Sequence, residues 1–363
     1  MLLWLLAACF AARMDLTVDA DQTSAAIPAV ITFAADTDED ATISWTLDGE
    51  VLGEGAALTH TFLGSGSFEV EATATLDGAS TSAAAIVTVS PAGCPTAGTP
   101  SSTGQVTDTE QTEISGLAAS TRWPGIFWII EDAGNPSELV AIDTTGAVVA
   151  VFELPDATAR DWEDIGLGPD GTLYLADIGD NDPLDRSQVT IAMLPEPDPN
   201  LDDQDLETTE LLISYEDGLH DAEAMAVDPV TGDLWIATKD YDGPAHVYVK
   251  EAPHLAGSET ALVEQAYLDF AVEPLFGGAT TGAAFSPLGD LLAIRTYQHT
   301  AWLFRVDRSD GVVLALAGDA CPFVLADEPQ GESLSFDPSG DVIWTVSERE
   351  LPLVNYTPLL PAE

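Results

Sequence analysis

The sequence predicts an all-β protein: a small β-sandwich followed by a five-bladed β-propeller. Two observations carry this. Residues 14–90 alternate apolar and polar positions in short runs separated by Asp, Gly and Ser, the pattern of half-buried strands. From residue 105 onward the chain repeats itself five times, at about 50–60 residues per repeat with four strands each, which is the size of a propeller blade.

The leader comes first. Residues 1–13 hold an apolar run ending Leu6-Ala7-Ala8-Cys9, with no Lys or Arg before it. It resembles the lipobox of bacterial lipoproteins, which implies export and lipidation of Cys9; the alternative is a signal-peptide remnant. The expected location is the cell surface, the periplasm or the medium, with membrane contact only through the lipid.

The sandwich follows, with strands expected at 30–33, 42–45, 58–62, 67–71 and 85–89. The runs around Trp45, Asp48, Gly49, Thr59, His60, Phe62, Gly66 and Phe68 resemble a PKD domain, an immunoglobulin-like module of bacterial surface proteins. The resemblance implies a spacer or adhesive role, with Trp45 in the core and His60 an ordinary strand residue. Residues 91–104 are rich in Pro, Gly, Ser and Thr and read as a linker to a propeller spanning 105–363.

Within the propeller the first strands of the five units begin at 113–117, 161–165, 221–225, 279–283 and 330–334, and most lead into Pro/Asp/Gly turns. The last unit has three strands, so its fourth is expected from the N-terminal side near Gly104, closing the ring and hiding its edges. One register of the innermost strand is polar in every unit: Ser115, Glu163, Glu223, Thr281 and Glu332. In a propeller these side chains converge on the axis. Three Glu carboxylates brought together repel unless protonated or neutralised. Calcium, which takes six to eight oxygen ligands, fits that set; zinc lacks His or Cys in register.

This order of side chains resembles the central site of the calcium-activated apyrases, five-bladed nucleotidases, although Thr281 stands where they have serine. The resemblance implies metal-ligand roles for the five ring residues. The runs Asp161–Ile165 and Asp177–Asn181 are similar to bacterial propellers of the phytase-esterase or SMP-30-like kind.

The chain carries 62 acidic and 10 basic residues, a formal charge of -52, which excludes ordinary nucleic-acid binding. Its few cations therefore stand out. Arg160 precedes the second inner strand, and Lys239 and Arg295 end the second strands of adjacent units. These three are expected either to hold an anionic ligand, with Asp161 or Asp177 as base, or to pair each with a nearby acid. Two functions follow: a calcium-dependent hydrolase of a phosphate-containing or lactone substrate, or a non-catalytic propeller that binds a glycan or protein over a structural calcium. A monomer is expected. Cys94 and Cys321 are expected to form one disulfide, the alternative being two free buried thiols.

Overall fold

The computed structural model describes residues 14–107, 111–180, 186–201, 205–241, 243–270, 279–297, 299–349 and 351–362. The leader with Cys9, and Asn181, lie outside them. The chain forms two compact units that part between Ala92 and Gly93.

The N-terminal unit is a two-sheet sandwich. One sheet orders strands Leu16–Ala20, Ala29–Thr37 and Ala57–Phe62; the other orders Ser24–Ala26, Ala79–Ser90, Gly66–Leu76, Thr42–Leu47 and Glu50–Glu54. Alternation along Ala29–Thr37 buries Ile31 and Phe33 and exposes Val30, as a one-sided sheet requires. Trp45 is fully buried against Phe33, and its indole Nε1–H donates to the Gly55 carbonyl at 2.8 Å, so the ring buries without an orphaned donor. His60 packs edge-on to Phe62.

The second unit is a propeller of five four-stranded antiparallel blades. Blade one is Ile114–Ala119, Ile126–Glu131, Glu138–Asp143 and Val148–Glu153. Blade two is Trp162–Leu167, Thr172–Asp177, Val189–Pro195 and Thr209–Tyr215. Blade three is Ala222–Val227, Leu234–Thr238, Ala245–Lys250 and Glu264–Leu268. Blade four is Thr280–Phe285, Leu291–Thr296, Thr300–Arg305 and Cys321–Val324. Blade five takes Gly331–Phe336, Val342–Ser347 and Leu353–Leu360 from the C-terminus and its outer strand, Ser101–Gln105, from the N-terminal side.

One sequence expectation changes. The segment read as a linker contains the closing strand and also Thr96–Ala97, which pairs with Leu359 and Leu360. Its Ser and Thr serve an exposed outer strand. Residues 259–268 divide between two blades. Glu259–Leu262 adds in parallel to the outer edge of blade two, and Glu264–Leu268 completes blade three. Neighbouring blades pack through apolar faces, as where Ile191 and Ile213 of blade two meet Met225 and Ile236 of blade three.

Cys94 and Cys321 are bonded, with Cα atoms 5.6 Å apart, inside the range a disulfide spans without backbone movement. The bond ties the approach to the closing strand to the outer strand of blade four.

One irregularity recurs. In every blade the pairing of first and second strands shifts by one residue: between Ile114 and Gly116, Trp162 and Asp164, Ala222 and Ala224, Thr280 and Gly282, and Gly331 and Ser333. The extra residues are Ser115, Glu163, Glu223, Thr281 and Glu332. A bulge frees one residue from the ladder and re-aims its side chain, so the polar register of the sequence is the bulge register of the fold.

Candidate metal centre at the propeller mouth

The bulges sit near the starts of the inner strands, around one end of the channel. A polar cavity of about 180 Å³ opens there, lined by Ser115, Glu163, Glu223 and Glu332 from the inner strands. Asp132, Lys239, Tyr241, Tyr297, Gln330 and Glu348 complete it from loops and strand ends.

Glu163 is the centre of this arrangement. It is 2% exposed, and its Oε1 has no hydrogen-bond partner. Its Oε2 and backbone carbonyl accept from the Ser115 hydroxyl, at 3.3 and 2.6 Å. One carboxylate oxygen from each of Asp132, Asp161 and Glu163 lies within 4.8 Å of the others. Burial, and then the carboxylates of Glu223, Asp132 and Asp161, push the Glu163 carboxyl well above its ordinary range. Burial likewise raises Asp132. Gly179 makes room for the group: a Cβ there would lie 2.6 Å from Asp161 Oδ2 and collide with Glu163 Oε1.

The other side of the mouth belongs to Lys239. Its ammonium pairs with Glu223 and stands over the rings of Tyr297 and Tyr241, 4.9 and 5.5 Å from their centroids. Burial works against the ammonium, but Glu223 and Tyr297 more than offset it and hold Lys239 above its usual range. Glu332 accepts from Gln330 Nε2 at 2.9 Å, and burial pushes its carboxyl up to about 8. Glu348 is pushed up to about 7 by burial and then by Asp132.

Several expected site residues stand elsewhere. The Thr281 hydroxyl donates to the Gly331 carbonyl at 2.8 Å and is not part of the cavity wall; it stitches blade four to blade five. Arg295 is fully buried away from the mouth, its Nη2 2.9 Å from Glu328 Oε2 and its Nη1 2.8 Å from the Ser333 carbonyl. Asp177 is not a free base. Its Oδ1 accepts from the Arg160 and Asp161 backbone N–H groups and from Arg186 Nη1 at 3.0 Å, and its Oδ2 accepts from Thr190. Arg160 itself is exposed, and its contact with Asp177 is through the backbone. Asp161 falls within one cluster of carboxylates with Asp132 and Glu163.

Among the buried acids that the sequence reading did not single out, Asp164 braces the inner strands. Asp164, fully buried, accepts from the backbone N–H groups of Ile165, Met225 and Ala283, at 2.8, 2.9 and 3.0 Å. These lie on blades two, three and four, so one carboxylate staples three inner strands below the acidic ring. Its only sequence signal is a second acid beside Glu163 in an apolar strand. Beyond it, a larger cavity of about 300 Å³ opens at the other ends of the inner strands. Its walls are Leu117, Ile165, Met225, Phe285 and other residues without a titratable group, so of these two cavities only the mouth is lined by titratable groups.

The PKD domain family matches residues 15–89. PKD domains are typical of extracellular proteins, and no helix among the described residues is long and apolar enough to cross a membrane. A search of curated protein sequences finds no match. Among solved structures, the chain is similar to the WD40 repeats of RRP9 at 11% identity and a TM-score of 0.39, covering 72% of this chain and 100% of that one. It is also similar to a gluconolactonase, XC5397 of Xanthomonas campestris, at 14% identity and a TM-score of 0.41, covering 74% of this chain and 99% of that one. The protein is thus an all-β chain in which a PKD domain precedes a β-propeller.

Proposed function

We propose that this is an exported protein whose propeller mouth binds one calcium ion on Asp132, Asp161 and Glu163, with the PKD domain as its spacer and Cys9 as its lipid anchor. The observation that supports the metal is the buried Glu163 Oε1, which has no hydrogen-bond partner and sits beside two further carboxylates. A carboxylate oxygen left so is costly unless a proton or cation meets it. The donors are all oxygen, which favours a hard cation, and nothing in the group offers the sulfur or imidazole of a zinc site.

Of the two activities the sequence allowed, binding is the better supported. The expected anion grip loses Arg295 to Glu328, and the expected base Asp177 is saturated by donors. A hydrolase would retain Lys239 as the cation on the described cavity wall, and the calcium would supply polarisation of a bound carbonyl, phosphoryl group or water. The cavity of about 180 Å³ restricts any ligand held there to a small molecule or the tip of a larger one.

Thermal unfolding of the full chain in calcium, magnesium and chelator tests the metal. At free calcium one hundred times Kd the gain is about 2.7 kcal/mol, or roughly 5–10 °C for a domain of this size. Glu163→Gln should abolish the calcium increment. Equal melting temperatures in calcium and chelator would overturn the proposal.

A further inference from the structure

The mouth holds more negative charge than one divalent ion removes. Five carboxylates line the cavity: Asp132, Glu163, Glu223, Glu332 and Glu348. The calcium proposed above takes Asp132 and Glu163, together with Asp161. Glu223, Glu332 and Glu348 remain, the first two from the inner strands of blades three and five, with Tyr297 and Gln330 on the same wall. A cation already sits among these oxygens, the Lys239 ammonium, paired with Glu223 and seated over Tyr297 and Tyr241. Glu163 Oε1, buried and unpartnered, faces the same cavity.

We infer that Lys239 is a tethered cation filling a second cation subsite, formed by Glu223, Glu332 and Tyr297, and that it thereby sets the mouth to one divalent ion. The inference rests on the calcium reading. Its chemistry is charge replacement. The ammonium is a compact point charge with three donors, able to meet a carboxylate and a tyrosine oxygen together. Without it the subsite presents carboxylate and phenol oxygens, hard donors that suit calcium, while Gln330 holds Glu332 through its Nε2 and accepts from Arg349 at its Oε1. An incoming ligand would then meet the calcium and not the lysine, whose charge is committed to Glu223.

The test counts ions. The full chain is stripped with chelator and titrated with calcium chloride at physiological salt, by calorimetry and by equilibrium dialysis with radioactive calcium. Wild type should take up one tight ion. Lys239→Gln should take up two, Lys239→Arg one, and the double variant Lys239→Gln/Glu223→Gln one again. Circular dichroism of each variant in excess calcium checks the fold; should Lys239→Gln not fold even there, the double variant and Lys239→Arg still decide, because two ions in either overturn the inference. One ion in both wild type and folded Lys239→Gln overturns the inference and leaves the calcium reading standing. Two ions in wild type overturn the inference by showing that the lysine fills no subsite. No tight ion in wild type overturns the calcium reading itself.

Discussion

Glu328→Gln is expected to destabilise the propeller sharply, because Arg295 is a structural cation. The Arg295 and Glu328 side chains are 0% and 2% exposed, with Nη2 and Oε2 2.9 Å apart. The other oxygen of Glu328 accepts from Thr345 Oγ1 at 2.5 Å and from Asn355 Nδ2 at 2.8 Å. Glutamine keeps the shape but removes the charge and one acceptor. If its oxygen faces Arg295, its amide N–H groups meet the Asn355 donor. If it turns over, they meet the guanidinium. Either way a buried positive charge loses its counter-charge, a defect that costs about 3–5 kcal/mol. At roughly 2–4 °C per kcal/mol for a domain of this size, the melting temperature should fall by about 6–20 °C. Differential scanning calorimetry of the full chain reads this directly. Arg160→Ala, at an exposed side chain, is the control and should move stability by no more than about 0.5 kcal/mol. A Glu328→Gln melting temperature within 2 °C of wild type, a limit taken as about one kcal/mol, would refute the reasoning and return Arg295 to the candidates for ligand binding.

Other outcomes are equally open to measurement. The raised carboxyls of Glu332, at about 8, and Glu348, at about 7, bind protons more tightly in the folded chain than in the unfolded one. Their contribution is therefore present at low pH and lost as pH rises through those values. In chelator, the melting temperature should fall between about pH 5 and pH 8, and saturating calcium should flatten that slope while its binding releases protons. Gly179→Ala should weaken calcium more than it weakens the fold, since the added carbon displaces Glu163 and Asp161; equal calcium affinity would contradict the placement of the group. Asp164→Ala leaves three backbone N–H groups without their acceptor, and should cost at least about 3 kcal/mol by denaturant unfolding. Replacing Cys94 and Cys321 together opens a link between residues 227 apart, worth about 5 kcal/mol on the chain-entropy model; a loss below 1 kcal/mol, a bound taken as about one fifth of that value, would count against the model here.

The blades were legible because each repeats one pattern of apolar strands and Pro/Asp/Gly turns, and because a three-stranded last unit demands a closing strand. The polar register at Ser115, Glu163, Glu223, Thr281 and Glu332 was legible too, but its cause was not. A bulge is a property of pairing, and no single strand announces it. The fates of Lys239 and Arg295 show the limit most clearly. The sequence reads both as ending the second strand of a blade and treats them alike, but the strands are Leu234–Thr238 and Leu291–Thr296. In the fold Arg295 turns between blades four and five, where Gly331 leaves space: a Cβ there would strike the guanidinium. The pairing registers set the two cations two residues apart: Arg295 stands opposite Gly282, as Ala237 stands opposite Ala224 in blade three, whereas Lys239 follows Thr238 as Tyr297 follows Thr296. Lys239 therefore reaches the mouth beside Tyr297, and Arg295 lies within its strand. Asp164 was missed because two of its three partners are backbone groups on other blades, which carry no mark in the sequence.

The disulfide has a mechanical meaning as well. A chain held at its N-terminal end and pulled from elsewhere transmits tension along the backbone into residue 94. Without a cross-link, that tension would peel Ser101–Gln105 from Leu353–Leu360 and open the ring at its seam. Because Cys94 is bonded to Cys321, on the outer strand of blade four, the load passes into that blade before it reaches the closing strand. The seam is bypassed, and the propeller is harnessed by an interior blade rather than by its weakest edge.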